Sequence, residues 1–148
     1  MVADATGSLK GSEIGRLKKE IVRQQQRYPQ LVIQIVIHTL PDEHPFAMHA
    51  FWLFNAGAFA GEVKRGRNNH SLMILIDPRR QESAIVPGYG LEPLLREEAI
   101  NHLLEMAGPS FESQKWETGL LIILDGLNGL LETISQIDQG PSYGENDF

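Results

Sequence analysis

Cysteine is absent from this 148-residue chain. Disulfides, thiolate zinc sites and cysteine nucleophiles are excluded, while the redox compartment stays open. Positive charge is scarce: 13 Lys and Arg stand against 19 Asp and Glu, for a net charge of −6. Such a surface is poorly suited to displacing counterions, which argues against broad nucleic-acid binding. Long apolar runs are missing too. The most apolar stretch, Leu120 to Leu124, resumes after Asp125 and Gly126 but is too short and polar to be a transmembrane segment. The opening MVADATGSLK has neither the basic n-region nor the apolar h-region of a signal peptide. As it stands, the sequence reads as soluble and cytoplasmic.

What remains suits one domain with a sizeable core, with 42% hydrophobic and 22% charged residues. The domain is expected over residues 8–137, with 1–7 and 140–148 as flexible tails. Ser12 can cap a helix running to about Tyr28, with Ile14, Leu17, Ile21 and Tyr28 on one face. Leu31 to His38 is nearly all apolar and β-branched, so both faces of that strand should be covered. From about His44 to Phe59 the chain is apolar on several sides and weakly helical. Gly61 to Asn69 then reads as a mobile basic loop. A second buried strand over Ser71 to Ile76 should lie parallel to the first, the two being central neighbours. After the Asp77-Pro78 turn, a third strand over Glu82 to Val86 returns antiparallel. Helices follow over Pro93 to Ala107, stopped by Gly108-Pro109, and over Glu117 to Ile137. These elements support an α/β fold, a layered α/β/α sandwich with a short mixed sheet flanked by helices on both faces.

The stretch RNNHSLMILIDPRRQESAIVPGYGLE, Arg67 to Glu92, is the most specific part of the chain. It joins an Asn-Asn turn, an apolar strand, a short partner strand and a Gly-Tyr-Gly-Leu-Glu corner. This pattern resembles the signature of the TPM domain, a family of mostly membrane-associated or exported α/β domains. Phe111 and Trp116-Glu117-Thr118-Gly119-Leu120 resemble the same family's closing segment. The resemblance implies the layered sandwich, acid phosphatase activity and divalent-metal binding in a cleft. Relatives often carry a signal peptide or membrane anchor, which would make the protein exported or membrane-associated if a leader has been removed. Two departures weaken the implied metal chemistry. Arg96 stands near the place of a family aspartate, with Pro93 beside it, and His70-Ser71 replaces the glycine after Asn-Asn.

Several side chains are candidates for a site. Gly88, Tyr89 and Gly90 form a strand-to-helix elbow, and Glu92 next to Pro93 reads as a carboxylate near a helix N-terminus. One reading makes this corner purely structural. The other has it line a cleft with Asn69 and Asp77, where acidic oxygens hold a hard cation such as Ca2+ or Mg2+. Asp125 is either a third ligand or an exposed residue on an outer stripe with Asn128 and Glu132. The histidines His38, His44, His49, His70 and His102 form no i, i+4 pair of the zinc-binding kind. Lys64, Arg65 and Arg67 read as a solvated basic cluster. Phe46, Phe51, Trp52, Phe54 and Phe59 read as core or, if their helix is exposed, as an interaction patch.

No Gly-x-Ser-x-Gly elbow and no Asp-x-Asp pair offers a nucleophile. The reading favoured is a non-catalytic binding module, engaging a protein partner in membrane-associated assembly or quality control, with at most a weakly held divalent ion. The alternative is a metal-dependent phosphomonoesterase using Asp77, Glu92 and Asp125.

Overall fold

A computed structural model describes residues 1–56 and 70–146, with side chains as far as residue 133. In chain order the elements are β1 (Val2–Asp4), α1 (Gly11–Arg27), β2 (Val32–Ile37), α2 (Phe46–Asn55), β3 (Ser71–Asp77), β4 (Glu82–Pro87), α3 (Glu97–Glu112) and α4 (Trp116–Asn146). The four strands form one mixed sheet in the order β1-β2-β3-β4. β2 and β3 are central and parallel, with Val32 opposite Ser71 and Ile37 opposite Ile76. β4 returns antiparallel, with Leu72 opposite Pro87 and Asp77 opposite Glu82. The arrangement expected for β2, β3 and β4 holds, because both central strands are apolar on either face and each face has a cover.

Side-chain alternation divides the core in two. Ile33, Ile35 and Ile37 of β2 and Leu72, Ile74 and Ile76 of β3 point to the face covered by α1, α3 and α4. Met73 and Leu75 point the other way, against Phe46, Ala50 and Phe54 of α2. The three-helix face carries most of the buried side chains. α1 contributes Leu17, Ile21 and Gln24 at helical spacing. Gln24 escaped the apolar count; its amide Nε2 donates to the Leu124 carbonyl at 2.6 Å, which ties α1 to α4 inside the core. At the surface, Arg16 and Glu117 form a two-point ion pair between the same helices, holding the Glu117 carboxyl below its usual range.

Four sequence expectations need correction. Met1 to Gly7 is not a loose tail: Val2–Asp4 pairs parallel with Ile35–Ile37, and Ala5 N–H donates to the Ile37 carbonyl at 2.9 Å. A three-residue strand is too short to show a period, and the free edge of β2 supplies its order. Lys10, not Ser12, is the residue at the N-cap of α1, and its backbone N–H donates to Glu13 Oε1 at 2.7 Å. Gly108-Pro109 does not stop α3, which runs on to Glu112 because buried Phe111 anchors its last turn. Gln114 ends the segment in the left-handed region at φ 60°. Finally, α4 carries helical backbone to Asn146, through positions read as tail. Once the packed part of that helix is formed, propagation needs no new nucleus. The proposed loop over Gly61–Asn69, with Lys64, Arg65 and Arg67, lies outside the described residues, as does Phe59.

Asp4 builds the turn from β1 into α1. Thr6 N–H and Oγ1–H donate to its Oδ1 at 2.9 and 2.8 Å, and Leu9 N–H donates to its Oδ2 at 2.8 Å. Burial pushes this carboxyl upward, but the hydrogen bonds from Leu9, Thr6 and Gly7 outweigh it and leave the acid below its ordinary range. A depressed folded-state value gives stability above the unfolded-state value, and the gain is lost as pH falls through the folded one. Asp4→Asn is therefore expected to lower the urea midpoint at neutral pH, with the gap to the unsubstituted protein closing on acidification. A gap that stays constant between neutral pH and pH 3 would show that the carboxylate charge contributes nothing.

Candidate functional site

Asp77 ends β3 and is wholly buried, at 0% exposure. The Asp-Pro turn that follows brings two backbone donors back onto it. Arg79 N–H and Arg80 N–H reach Oδ1 at 3.0 and 3.2 Å, and Leu40 N–H reaches Oδ2 at 3.0 Å from the loop after β2. Arg80 Nε lies 3.5 Å from Oδ2 as an ion pair. The two arginines extend the same construction. Arg79 donates to the Leu40 carbonyl at 2.6 Å and to Asp42 at 2.8 Å, which holds the Asp42 carboxyl below its usual range. Arg80 donates to the carbonyls of Pro41 and His44. Asp77 is thus a buried turn cap that pins the 39–44 loop. An Asp followed by proline with arginines at i+2 and i+3 is the signal that could have disclosed this role.

The glycine corner lies at the other end of the sheet. Gly88 N–H donates to the Ser71 carbonyl at 2.8 Å, beside the start of β3, whereas Asp77 is its last residue. Six strand rises separate them, about 20 Å. Glu92 is not next to a helix start either. Residues 89–95 are consecutive tight turns, and α3 begins only at Glu97 with Arg96 at its N-cap. Pro93 sits within those turns, so the helical period inferred across Leu95 starts too early. Asp125 is exposed on α4, within the three-helix layer. It fits the outer stripe, where Arg27 pairs with Glu132 at 3.6 Å and donates to Asn128 at 3.3 Å.

Asp77, Glu92 and Asp125 therefore stand in three separate places. Among the described residues no group of three or more His, Asp or Glu comes together to hold a metal ion. Asp77 has its oxygens taken by three N–H donors and a guanidinium, so this donor set does not fit a divalent cation. The expected result is an unchanged melting temperature in millimolar Ca2+ or Mg2+; a rise that Glu92→Gln removes would restore the metal reading.

The corner does line a concavity, with different partners. A shallow cleft of about 90 Å³ is bordered by Gly88, Tyr89 and Glu92 together with Phe51, Phe54 and Asn55 of α2 and Val86-Pro87 of β4. Gly90 is exposed beside it, and Asn69 lies outside the described residues. The α2 residues were the unforeseen members. Their signal was a helix apolar on all sides, which only one neighbouring face can bury. Phe46, Ala50 and Phe54 go inward. Met48, Phe51, Trp52 and Leu53 remain outside at 41, 61, 43 and 38% exposure, and Tyr89 at 75% continues the patch. Trp52 stands edge-on to His44 and His49, and His49 Nε2–H donates to the Pro41 carbonyl at 3.0 Å.

Among curated proteins none matches the chain. Solved structures do. The N-terminal domain of a protein from P. gingivalis aligns at TM-score 0.71 and 20% identity, covering 88% of this chain and 83% of that one. The BA42 protein of the psychrophilic bacterium Bizionia argentinensis aligns at 0.69 and 12%, covering 87% and 85%. The N-terminal domain of the cg2496 protein of Corynebacterium glutamicum aligns at 0.61 and 16%, covering 86% and 77%. At such identities these neighbours establish the fold alone. The sequence profile of the TPM domain matches residues 2–130, from the β1 strand through the packed half of α4, and on that match the chain belongs to the TPM domain family.

Proposed function

We propose that the protein is a non-catalytic binding module that engages a protein partner, in the assembly or quality control of membrane-associated proteins. The observation carrying this reading is the outward apolar face of α2, where Met48, Phe51 and Trp52 fall on one side of the helix and are exposed. A contiguous patch of this kind on a domain with a well-filled core marks an interaction surface. Large aromatics are also the residues that dominate binding energy when a partner covers them. No helix among the described residues is long and apolar enough to cross a membrane. Among the described residues no group of three His, Asp or Glu side chains comes together to support the phosphatase alternative.

The test is a photo-crosslinking residue placed at Phe51 in the native host, with the same residue at exposed Thr133 as control. A discrete adduct is expected at Phe51 alone, and Trp52→Ser should abolish it while the domain still unfolds cooperatively in urea. Equal labelling at both positions would sink the reading. In parallel, the purified protein is expected to show no hydrolysis of an aryl phosphate above a mock-purified control. Turnover that chelator abolishes and Glu92→Gln reduces at least tenfold would establish the enzyme instead.

A further inference from the structure

β4 is the last strand of the sheet, and one of its two sides has no neighbour. The register decides which backbone groups that side presents. Since Gly88 N–H donates to the Ser71 carbonyl, Gly88, Val86, Ala84 and Glu82 turn their N–H and C=O groups toward β3. Ser83 and Ile85 turn theirs outward, and Pro87 adds a carbonyl without an N–H. No backbone hydrogen bond of the described residues reaches those outward groups. The edge is blunted only at its ends, by the charge of Glu82 and by Pro87. Between them lie two donors and three acceptors spaced for a strand.

A cavity flanks this edge on each face of the sheet. The cleft of about 90 Å³ beside Val86, walled by Phe51, Phe54 and Tyr89, lies on the α2 face. A second, of about 100 Å³, lies on the α3 and α4 face beside Ser83, walled by Ile76, Phe111 and Trp116. Successive side chains of an extended chain point to opposite faces, so a strand laid along β4 would present alternate residues to the two cavities. Each cavity also carries acid. Glu92 borders the first, Glu82 and Glu112 border the second, and neither is lined by Lys, Arg or His.

We propose that the β4 edge binds a short extended peptide by strand addition. The peptide segment carries apolar residues for the two cavities and basic residues toward its ends. Main-chain hydrogen bonds supply affinity in this mode and alternate side-chain cavities supply specificity. The charge pattern selects the occupant. A second copy of this chain, at net charge −6, would bring acidic rims against acidic rims, whereas a basic segment neutralises them. The proposal rests on the binding-module reading above and moves the point of capture from the α2 face to the neighbouring edge.

The probe is a displayed library of heptapeptides with Lys at both ends and apolar residues at alternate positions, followed by fluorescence anisotropy on synthetic winners against the full chain. Ser83→Pro is the decisive variant. Its N–H faces outward, so proline there spares the β3 ladder and blocks only an incoming strand. The expected result is an affinity loss of about tenfold or more in Ser83→Pro and none in Ser83→Ala. N-methylating the peptide amides that face β4 should abolish binding, while methylating the alternate set should leave it intact. Glu112→Gln should flatten the salt dependence. The N-methylation pattern decides the matter even if Ser83→Pro unfolds. Failure to select any binder at millimolar peptide, or indifference to which amides are methylated, would overturn strand addition. Binding lost in Trp52→Ser but kept in Ser83→Pro would also overturn it while upholding the binding-module reading. A concentration-dependent dimer that Ser83→Pro abolishes would assign the edge to a second copy and reject the peptide.

Discussion

Asp77→Ala is expected to lower the unfolding free energy by about 3–5 kcal/mol. The carboxylate is the common acceptor for the N–H groups of Leu40, Arg79 and Arg80 and the counter-charge of Arg80. Alanine strands all of these in a site with no exposed area at Asp77. Each unsatisfied buried donor costs about 1–3 kcal/mol, partly relieved as water enters. Asn keeps one acceptor oxygen and should cost less than half as much. Equilibrium urea unfolding measures both. The result also separates a turn cap from a ligand position. A carboxylate arranged to hold a cation repels its surroundings when empty, and its removal from the metal-free protein would be neutral or stabilising. A loss below about 1 kcal/mol would show that the three donors are not satisfied by Asp77 in solution.

Gly119→Ala comes next in expected size. A Cβ at that position would sit 2.6 Å from Phe111 Cδ1 and closer still to Cε1, inside the ring's van der Waals envelope. The ring cannot retreat freely, because it stacks on Trp116 at 5.7 Å between centroids and is itself buried. Overpacking of this kind costs about 1–3 kcal/mol, against up to about 1 kcal/mol gained by replacing a helical glycine. A net loss of about 1–2 kcal/mol is expected. Gly129→Ala on the same helix is the matched control, since nothing lies within 4 Å of its added Cβ. That change should stabilise by about 0.5–1 kcal/mol. Equal signs for the two substitutions would mean that helix propensity alone governs both sites.

The contrast explains what was and was not legible beforehand. The central strands were readable because Leu31 to His38 and Ser71 to Ile76 are apolar on both faces, and burial on both faces forces central positions. The Phe111 and Trp116 to Leu120 segment was recognisable as a family feature, but the packing of the glycine beneath the ring depends on a contact between two helices. Asp77 was recognised as important, but its turn-capping hydrogen bonds were not foreseen. Sequence shows that an acid follows an apolar strand; it does not show that Leu40, 37 positions earlier, returns to donate to it. The acids failed to converge for a related reason. A strand places its first and last residues at opposite ends of the sheet, so Asp77 and a corner anchored at Ser71 cannot meet. Pro93 and Pro109 misled in opposite directions. The first sits in turns before its helix, and the second is carried inside a helix whose last turn is held by an aromatic residue.

The unequal cover of the two sheet faces has a dynamic consequence. Three helices close one face, while among the described residues the other is closed by α2, ten residues long and with most of its apolar side chains already in water. Detaching α2 forfeits the burial of Phe46, Ala50 and Phe54 but leaves the larger core untouched. The protein should therefore open in two steps of different depth, with α2 amides exchanging hydrogen far faster than those of α1 or β3. In the shallow step Met73 and Leu75 lose their cover, presenting the α2 face of two central strands without unfolding the domain. The segment that displays the apolar patch would then also be the part of the fold most easily lifted away.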